Sequence, residues 1–533
     1  MRITFLERNV IKKNYRRCPL KIALCYPGPY RVAVCSLAYQ MLYQILNREE
    51  DVICERFCIE DWNYEPRSLE SLRPLRDFDI IIFTIPYEIQ YLDALRILVN
   101  ANISLDPKSR RQIIFYGGIT AFENPIPLIP IFDVACIGDL EVLIPKLLRV
   151  LREEFLPNHD KDRVIHALNE VNGFLTLPKV IDGIKVRKVI KRRLGETFRP
   201  VTQFMPIQPP SKSLEPIYGA SYLLEISRGC FYQCNFCLLS HVYNPYREKS
   251  YDLIIDEVKC GLERTRARKI CIIASAYRNI NMLKDLLYFI VEELKLEVSM
   301  PSLRIDRVDK ELLRLLKLGG QRTLTLAPET FSENLKTFLN KNIPNDLLYK
   351  VAYEAFNVGF KQIKLYLMFG FPKHTFDDLT DLVRGLETLR KIGFKHREAI
   401  RLTLTPLIPK PHTPFQWLPL AREEELKRYV RILRIKLKHF GIRLNFLNPH
   451  EAKIEAILAK GDINISKTLV RLALSEDRPT PSLMLKELKP HKLYEDVHKA
   501  VDVDMELPWD IIDVGVSKAD LKKRYYKAIS YLD

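Results

Sequence analysis

Five short apolar runs punctuate the first 155 residues: KIALCYP (21–27), DVICERFCI (51–59), FDIIIFTIP (78–86), QIIFYGG (112–118) and FDVACIGD (132–139). Between them VAVCSLAYQMLYQILN (32–47) and LDALRILVNA (92–101) repeat apolar residues at helical spacing, and LEVLIPKLLRVLREE (140–154) follows the last run. Near-continuous apolar strands separated by helices predict an α/β fold, a doubly wound parallel sheet covered on both faces. Ligands of such sheets lie beyond the carboxyl ends of the strands, here at turns such as 26–30 and Gly117–Gly118.

The pattern changes over 156–220. KVIDGIKVRKVIKRRL (179–194) reads as a small hairpin around Asp182-Gly183, and the proline-rich FMPIQPPSKSLEP (204–216) as a linker or wrapping segment. From 221 the strand–helix alternation resumes, with strands expected at 222–226, 269–275, 296–301, 322–327, 361–369 and 400–406. The clearest helix is 375–392, where Leu379, Leu382, Val383, Leu386 and Leu389 form one stripe, Thr375 and Asp378 resemble a capping box, and Gly393 marks the end. Six such units make a partial or complete parallel barrel. Residues 421–533 read as mostly helical and charged. The domains are therefore expected at 1–155 (doubly wound sheet), 156–220 (hairpin and linker), 221–420 (barrel) and 421–533 (helical), in keeping with a chain of 533 residues.

Charge narrows the partners. With 83 basic against 66 acidic residues the chain carries +17, which favours polyanions such as RNA or an anionic membrane surface. The first residues lack the apolar core of a secretory signal, and no apolar run approaches the roughly 18 residues that span a bilayer, so a cytoplasmic protein without a membrane span is expected. In a reducing compartment clustered cysteines are metal ligands or catalytic groups rather than disulfides.

Three of the eleven cysteines fall within ISRGCFYQCNFC (226–237). Cys230, Cys234 and Cys237 are spaced C-x3-C-x2-C directly after the first strand of the barrel, on the face where barrel chemistry occurs. Three thiolates on one tight loop can cap three corners of an iron–sulfur cube and leave the fourth iron open. The competing set is a zinc site completed by His241. Cys25, Cys35, Cys54, Cys58 and Cys136 read as small core residues rather than a second cluster.

The triplet, with the aromatic Phe236 just before its last cysteine, resembles the radical S-adenosyl-L-methionine (SAM) superfamily. That resemblance implies a 4Fe-4S cluster on Cys230, Cys234 and Cys237, SAM chelated at the open iron, reductive cleavage to a 5′-deoxyadenosyl radical, and an electron donor for the cluster. It places Phe236 near adenine. LAPETFSENL (326–335) resembles the fourth-strand signature, which puts Glu329 and Ser332 at the ribose or methionyl end of SAM, and MPSLRID (300–306) puts Arg304 near the site. LYLMFGFPKHTFDDL (365–379) resembles the fifth-strand segment, with Gly370 and Pro372 shaping the turn over adenine; PLIPKPHTPFQW (406–417) resembles the sixth-strand ending of tRNA methylthiotransferases. The usual Gly-Gly-Glu after the second strand is replaced by IIASAY (272–277), where Ser275 is the substitute for holding the SAM amino group.

A doubly wound sheet ahead of this barrel resembles the class with an N-terminal cobalamin-binding domain. CYPGPYRVAV (25–34) lacks the D-x-H-x-x-G histidine by which some members ligate cobalt, although histidine-free members also bind cobalamin; PGPYRVAVCSLAYQMLYQILN (27–47) and LPWDIIDVGVSKADLKKRYYKA (507–528) resemble a subgroup whose cobalamin-like domain is degenerate, so cobalamin is the lesser expectation. The function implied is a radical SAM enzyme activating a substrate C–H bond. RNA is the favoured substrate on the basic runs KVRKVIKRR (185–193), RTRARK (264–269) and LKKRYYK (521–527). The alternatives are a cobalamin-dependent radical SAM methyltransferase, radical chemistry on a lipid or small metabolite, and a cluster-bearing scaffold without turnover.

Overall fold

The protein is described by a computed structural model covering residues 6–207, 209, 211–300, 302–373 and 376–532. Leu20–Tyr26 (β1), Val52–Cys58 (β2), Ile80–Thr84 (β3), Ile113–Gly117 (β4) and Val134–Cys136 (β5) run parallel in the order β2-β1-β3-β4-β5. A short strand the hydrophobic pattern did not reveal, Phe174–Thr176 (β6), adds antiparallel to β5. Successive residues of each strand go to opposite faces. Ile22, Leu24, Ile80 and Ile82 pack with residues of helices Leu37–Arg48 and Leu140–Val150, while Ala23, Cys25, Ile81 and Phe83 pack on the other face. Both faces are buried, which is why the strands read as unbroken apolar runs.

Part of the cover on the second face comes from the far end of the chain. Helices Pro449–Ala459 and Ile465–Ala473 contribute Ile454, Ile457, Leu469 and Leu472 to the same core as helix Gln90–Asn100. Polar contacts fix this docking: Arg96 donates to the Ala473 carbonyl (3.0 Å), and the Asn124 amide to those of Ala459 (3.0 Å) and Gly461 (2.7 Å).

The second unit is a parallel barrel left open. Tyr222–Glu225 (β7), Lys269–Ile273 (β8) and Glu297–Ser299 (β9) form one arc; Thr323–Glu329 (β10), Gln362–Phe369 (β11), Ile400–Pro406 (β12) and Arg443–Phe446 (β13) form the other. A parallel bridge between Leu303 and Leu326 joins them. Among the described residues no pairing closes β13 onto β7. Six strands stand where the alternation predicted them; β13, only four residues long, falls in the stretch expected to be helical, after a charged helix. Helix Phe376–Ile392 buries Leu379, Leu382, Leu386 and Leu389, as its stripe requires. Its expected cap, Thr375, lies outside the described residues.

The expected hairpin at 179–194 does not form. Leu177–Ile181 is a helix ending at Asp182, and Val186–Arg187 pairs in parallel with Ile512–Asp513 from the other end of the chain. An Asp-Gly turn signal is local, and the tertiary partner outcompetes it. The segment continues across the first sheet, where Val189 so closely covers Gly138 that a Cβ there would lie 2.4 Å from its Cγ2. Among the described residues no helix is long and apolar enough to cross a membrane.

Buried charges hold the two units together. Asp139, after β5, accepts from Arg228 (2.9 Å) and from Arg247, and Arg228 also reaches Glu141 (2.9 Å) and Glu225 (2.8 Å). Lys410, after β12, contacts Glu88, Glu123 (3.3 Å) and Glu455 (2.9 Å). Burial alone would raise the Asp139 carboxyl, but Arg228 and Arg247 outweigh it and hold the carboxyl below its ordinary range. Removing one member of such a pair strands the other charge in a dry site. Asp139→Asn should therefore destabilise the protein by about 3–5 kcal/mol, read as a lowered denaturant midpoint. Because the folded carboxyl titrates low, its contribution is fully present above about pH 3.9 and is lost as pH falls through the folded value. The variant should show a correspondingly flatter loss of stability in acid.

Candidate active site

β7 ends at Glu225, and Ser227–Arg228 then pairs antiparallel with Arg247–Glu248, so residues 229–246 form a closed excursion pinned at its base. Gly229 makes the closure feasible. Its φ is +84°, and a Cβ would lie 2.3 Å from the Tyr243 carbonyl oxygen. Cys230, Cys234 and Cys237 occupy this excursion, Cys234 buried and the other two half-buried, none in a disulfide. Burial pushes all three thiols up.

The loop is tied down from three directions. The Asn235 amide N–H donates to the Leu339 carbonyl (3.0 Å) and its side chain to that of Phe338 (2.8 Å); Asn340 donates to the Gln233 carbonyl (3.0 Å). Arg524, on the C-terminal helix Lys518–Ile529, donates to Asn235 Oδ1 (3.1 Å), to the Gln233 carbonyl and to His241 Nε2 (3.0 Å). The other ring nitrogen of His241 meets the Cys237 carbonyl (2.8 Å). With both nitrogens engaged, His241 orders the loop and does not complete a zinc set.

Arg304 lies beside the thiols. Its Nη1 is 3.8 Å from Cys234 Sγ, its guanidinium stacks 3.7 Å from the Tyr232 ring centroid, and Asp306 pairs with it at 2.9 Å. Glu329 is buried at the irregular end of β10 with φ +67°, a left-handed backbone in a non-glycine residue, and Lys341 holds its carboxylate at 2.7 Å. Strain of this kind, of order 1–3 kcal/mol, concentrates at working sites. Ser332 is buried at the N-cap of helix Glu333–Phe338, without a capping hydrogen bond from its side chain.

Phe236 is half-buried in a satellite apolar cluster with Phe338, Phe371 and Phe415. Phe371 sits between Gly370 and Pro372, so the fifth-strand turn and the cysteine loop meet through this cluster. Gly370 takes φ +72°, with helix Glu423–Leu437 behind it; a Cβ would lie 2.6 Å from Leu426. Pro372 lines a cavity of about 510 Å³ on that outer side, with Leu426 and Tyr429. Ser275 is exposed beyond β8 and lines a second cavity, of about 280 Å³, between the barrel mouth and the carboxyl edge of the first sheet, with Gly117, Gly118, Gly138 and, from the base of the cysteine loop, Arg228 and Gly229. Leu42, Leu143 and Leu147 carry this cavity inward as an apolar slot.

Lys341, Arg524, Tyr232 and Phe371 went unnoticed in the sequence, since each acts through a neighbour distant along the chain. Arg524 belongs to LKKRYYK, read there as a phosphate-binding run. In the fold Leu521 is buried, Lys522 pairs with Asp504 and Tyr525 packs on Trp417 (5.5 Å), so these members of the run are structural, while Lys523 and Lys527 are exposed. Lys188 of KVRKVIKRR is likewise consumed by the carbonyls of Val242 (2.8 Å), Asn244 (2.7 Å) and Val514 (2.7 Å).

Residues 224–386 match the family model of the radical SAM superfamily, and 38–176 that of the N-terminal region of radical SAM proteins. An uncharacterized protein of Methanocaldococcus jannaschii is 29% identical over 476 residues, 89% of this chain and 95% of its own length. Two solved structures share the fold. The radical SAM methyltransferase TsrM from Kitasatospora setae, with cobalamin and a 4Fe-4S cluster bound, is 14% identical with a TM-score of 0.50 over 88% of this chain and 99% of its own. The cobalamin-dependent SAM radical enzyme OxsB, with aqua-cobalamin and SAM bound, is 14% identical with a TM-score of 0.51 over 96% and 79%. Family matches to both units, arranged as sheet then barrel with a three-cysteine loop on the first barrel strand, make this chain a radical SAM enzyme, a cluster- and SAM-binding member of that superfamily with a cobalamin-binding-like domain ahead of its barrel.

Proposed function

We propose that Cys230, Cys234 and Cys237 hold the 4Fe-4S cluster and that SAM lies between it and the apolar cluster of Phe236 and the Gly370–Pro372 turn. The observation that carries this is the pinned cysteine loop with Arg304 and the Glu329–Lys341 pair around it. When bound, the cluster and SAM together supply reductive formation of a 5′-deoxyadenosyl radical, which activates a substrate C–H bond. The chain's own part is placement. Arg304 puts positive charge beside a thiolate, Lys341 fixes the direction of the Glu329 carboxylate, and Arg524 keeps the loop from opening. Ser275 faces the seam between the units; its role toward the SAM amino group is part of this proposal. A cytoplasmic location suits the chemistry, which needs reduced thiols and an electron donor.

Anaerobic reconstitution should give about four irons per chain, lost in a Cys230→Ala, Cys234→Ala, Cys237→Ala triple variant. With SAM and dithionite the protein should release 5′-deoxyadenosine. A fully loaded cluster with no release would leave the scaffold reading standing instead. Arg524→Ala keeps every proposed ligand, and should lower iron affinity roughly 10-fold through the slackened loop, read by chelator competition.

A second ligand is favoured by the 280 Å³ cavity. Its apolar slot opens at bare glycine backbone beyond the sheet, where doubly wound folds bind ligands, and it faces the barrel mouth. The cobalamin-bound fold neighbours make cobalamin the candidate, and a slot of this size would admit one part of it, such as its aromatic nucleotide tail. The lining residues include no histidine, so they offer no imidazole to cobalt. Bound cobalamin would supply a methyl-carrying or redox-active cobalt; the residues that would hold it are Gly117, Gly118, Leu42 and Leu143. Hydroxocobalamin retained through gel filtration, and lost in Ala38→Trp at the slot's rim, is the expected result. No retention by the loaded wild type would remove this reading.

A further inference from the structure

The interior of the barrel has the wrong chemistry for a packed core. Alternate residues of β10–β12, such as Leu324, Leu326, Leu365 and Leu402, join the helical jacket. The other set must face inward. In a closed parallel barrel that set is layered Val, Ile and Leu. Here it includes Thr325, Lys364, Tyr366, Arg401 and Thr403, all half-exposed, and the exposed Arg443.

Register arranges three of these as a row. Thr325 pairs with Lys364, Lys364 with Arg401 and Arg401 with Arg443, each on the next strand. Neighbouring strands are about 4.8 Å apart, so three cations share one level across roughly 10 Å, at the amino ends of their strands and opposite the cysteine loop. Like charges directly opposite one another cost stability. One carboxylate, Glu398, serves two of them at long range, 3.8 Å from Arg401 and 3.7 Å from Arg443. Lys364 rests on Tyr366, 2.9 Å from its hydroxyl and 4.5 Å from its ring centroid. The Arg401 Nε is buried without a hydrogen-bond partner, and buried donors are rarely left so. Across the interior, Lys269 and Glu297 are register partners of opposite sign and cancel. The row therefore carries a net excess of two positive charges.

Phosphate answers this arrangement best, since guanidinium forks and an ammonium match its charged oxygens and three cations in line match more than one phosphate. An aromatic ring stands nearby: Tyr366 is one level up the same strand. Rings beside cations are what a nucleobase with its phosphates stacks on. We infer that the amino-end mouth of the barrel, where these residues open their strands, binds a phosphate-bearing nucleotide, whose phosphates are received by Lys364, Arg401 and Arg443. The inference concerns binding and does not rest on the radical-enzyme reading.

Two sources of this chemistry, an RNA strand and a free nucleotide, are separated by the probes. Reconstituted full-length protein is titrated with a fluorescein-labelled single-stranded RNA decamer by anisotropy at several salt concentrations, and with ADP by calorimetry. RNA binding is expected to weaken with salt. Lys364→Gln with Arg401→Gln and Arg443→Gln should cost at least about 10-fold in affinity and lower the logarithmic salt slope by about 2, at roughly 0.7 per lost phosphate contact. Arg192→Gln with Arg193→Gln, on the exposed surface run, should leave both nearly unchanged. If ADP binds and RNA does not, and the triple variant abolishes ADP binding, the site takes a free nucleotide. Arg401→Gln alone serves if the triple variant does not fold, with a several-fold loss expected. Failure of wild type to bind either probe, or equal binding by wild type and variant, would overturn the inference. Iron content and 5′-deoxyadenosine release are followed in wild type alongside. Binding without either of them would sink the radical reading and leave the nucleotide site intact.

Discussion

The burial of Arg228 is the constraint from which the site follows. A guanidinium in a dry seam is tolerated only with its charge and donors met, and Asp139, Glu141 and Glu225 meet them. Two of those partners belong to the first unit. The base of the cysteine loop is therefore set against the first sheet before any cofactor binds. Arg247, on the strand that closes the loop, converges on the same Asp139. Since Gly229 is the next residue, and its backbone alone can pass the Tyr243 carbonyl, the three cysteines start from a position fixed on both sides.

The C-terminal residues are part of both units rather than an appendage. Helices Pro449–Ala459 and Ile465–Ala473 complete one face of the first sheet, Ile512–Asp513 pairs with the linker, and the last helix sends Arg524 to the cysteine loop. Lys410 adds a buried contact where barrel, first sheet and C-terminal helix meet. Each contact spans hundreds of residues of sequence, and together they make the cavity at the seam a property of the whole chain.

The barrel divides its two faces by chemistry. Outward residues are apolar and hold the helical jacket, while the interior is polar, accessible and cationic at one level. A closed barrel cannot leave such a row unsatisfied, because its interior is a packed core. An open one can, since water screens the row until a ligand replaces it. The same openness leaves three cations inside the barrel, while some basic residues of the surface runs, such as Lys188 and Lys522, are committed to carbonyls and carboxylates.

By itself the sequence determined what depends on local pattern. Uninterrupted apolar strands declared a sheet buried on both faces, alternation of strand and helix declared the barrel, and the spacing of Cys230, Cys234 and Cys237 put three cysteines on one loop, because residues so near in sequence are necessarily close. Tertiary structure alone decided what depends on distant partners. The Asp182-Gly183 turn yielded to a strand from residue 512, and β13, only four residues long after a charged helix, becomes a strand by pairing with β12. Lys341 and Arg524 reach their neighbours only after folding. Ser275 came to the seam, where it shares a cavity with Gly229 at the base of the cysteine loop. The cationic row needed strand register, which no single strand encodes, to become one surface.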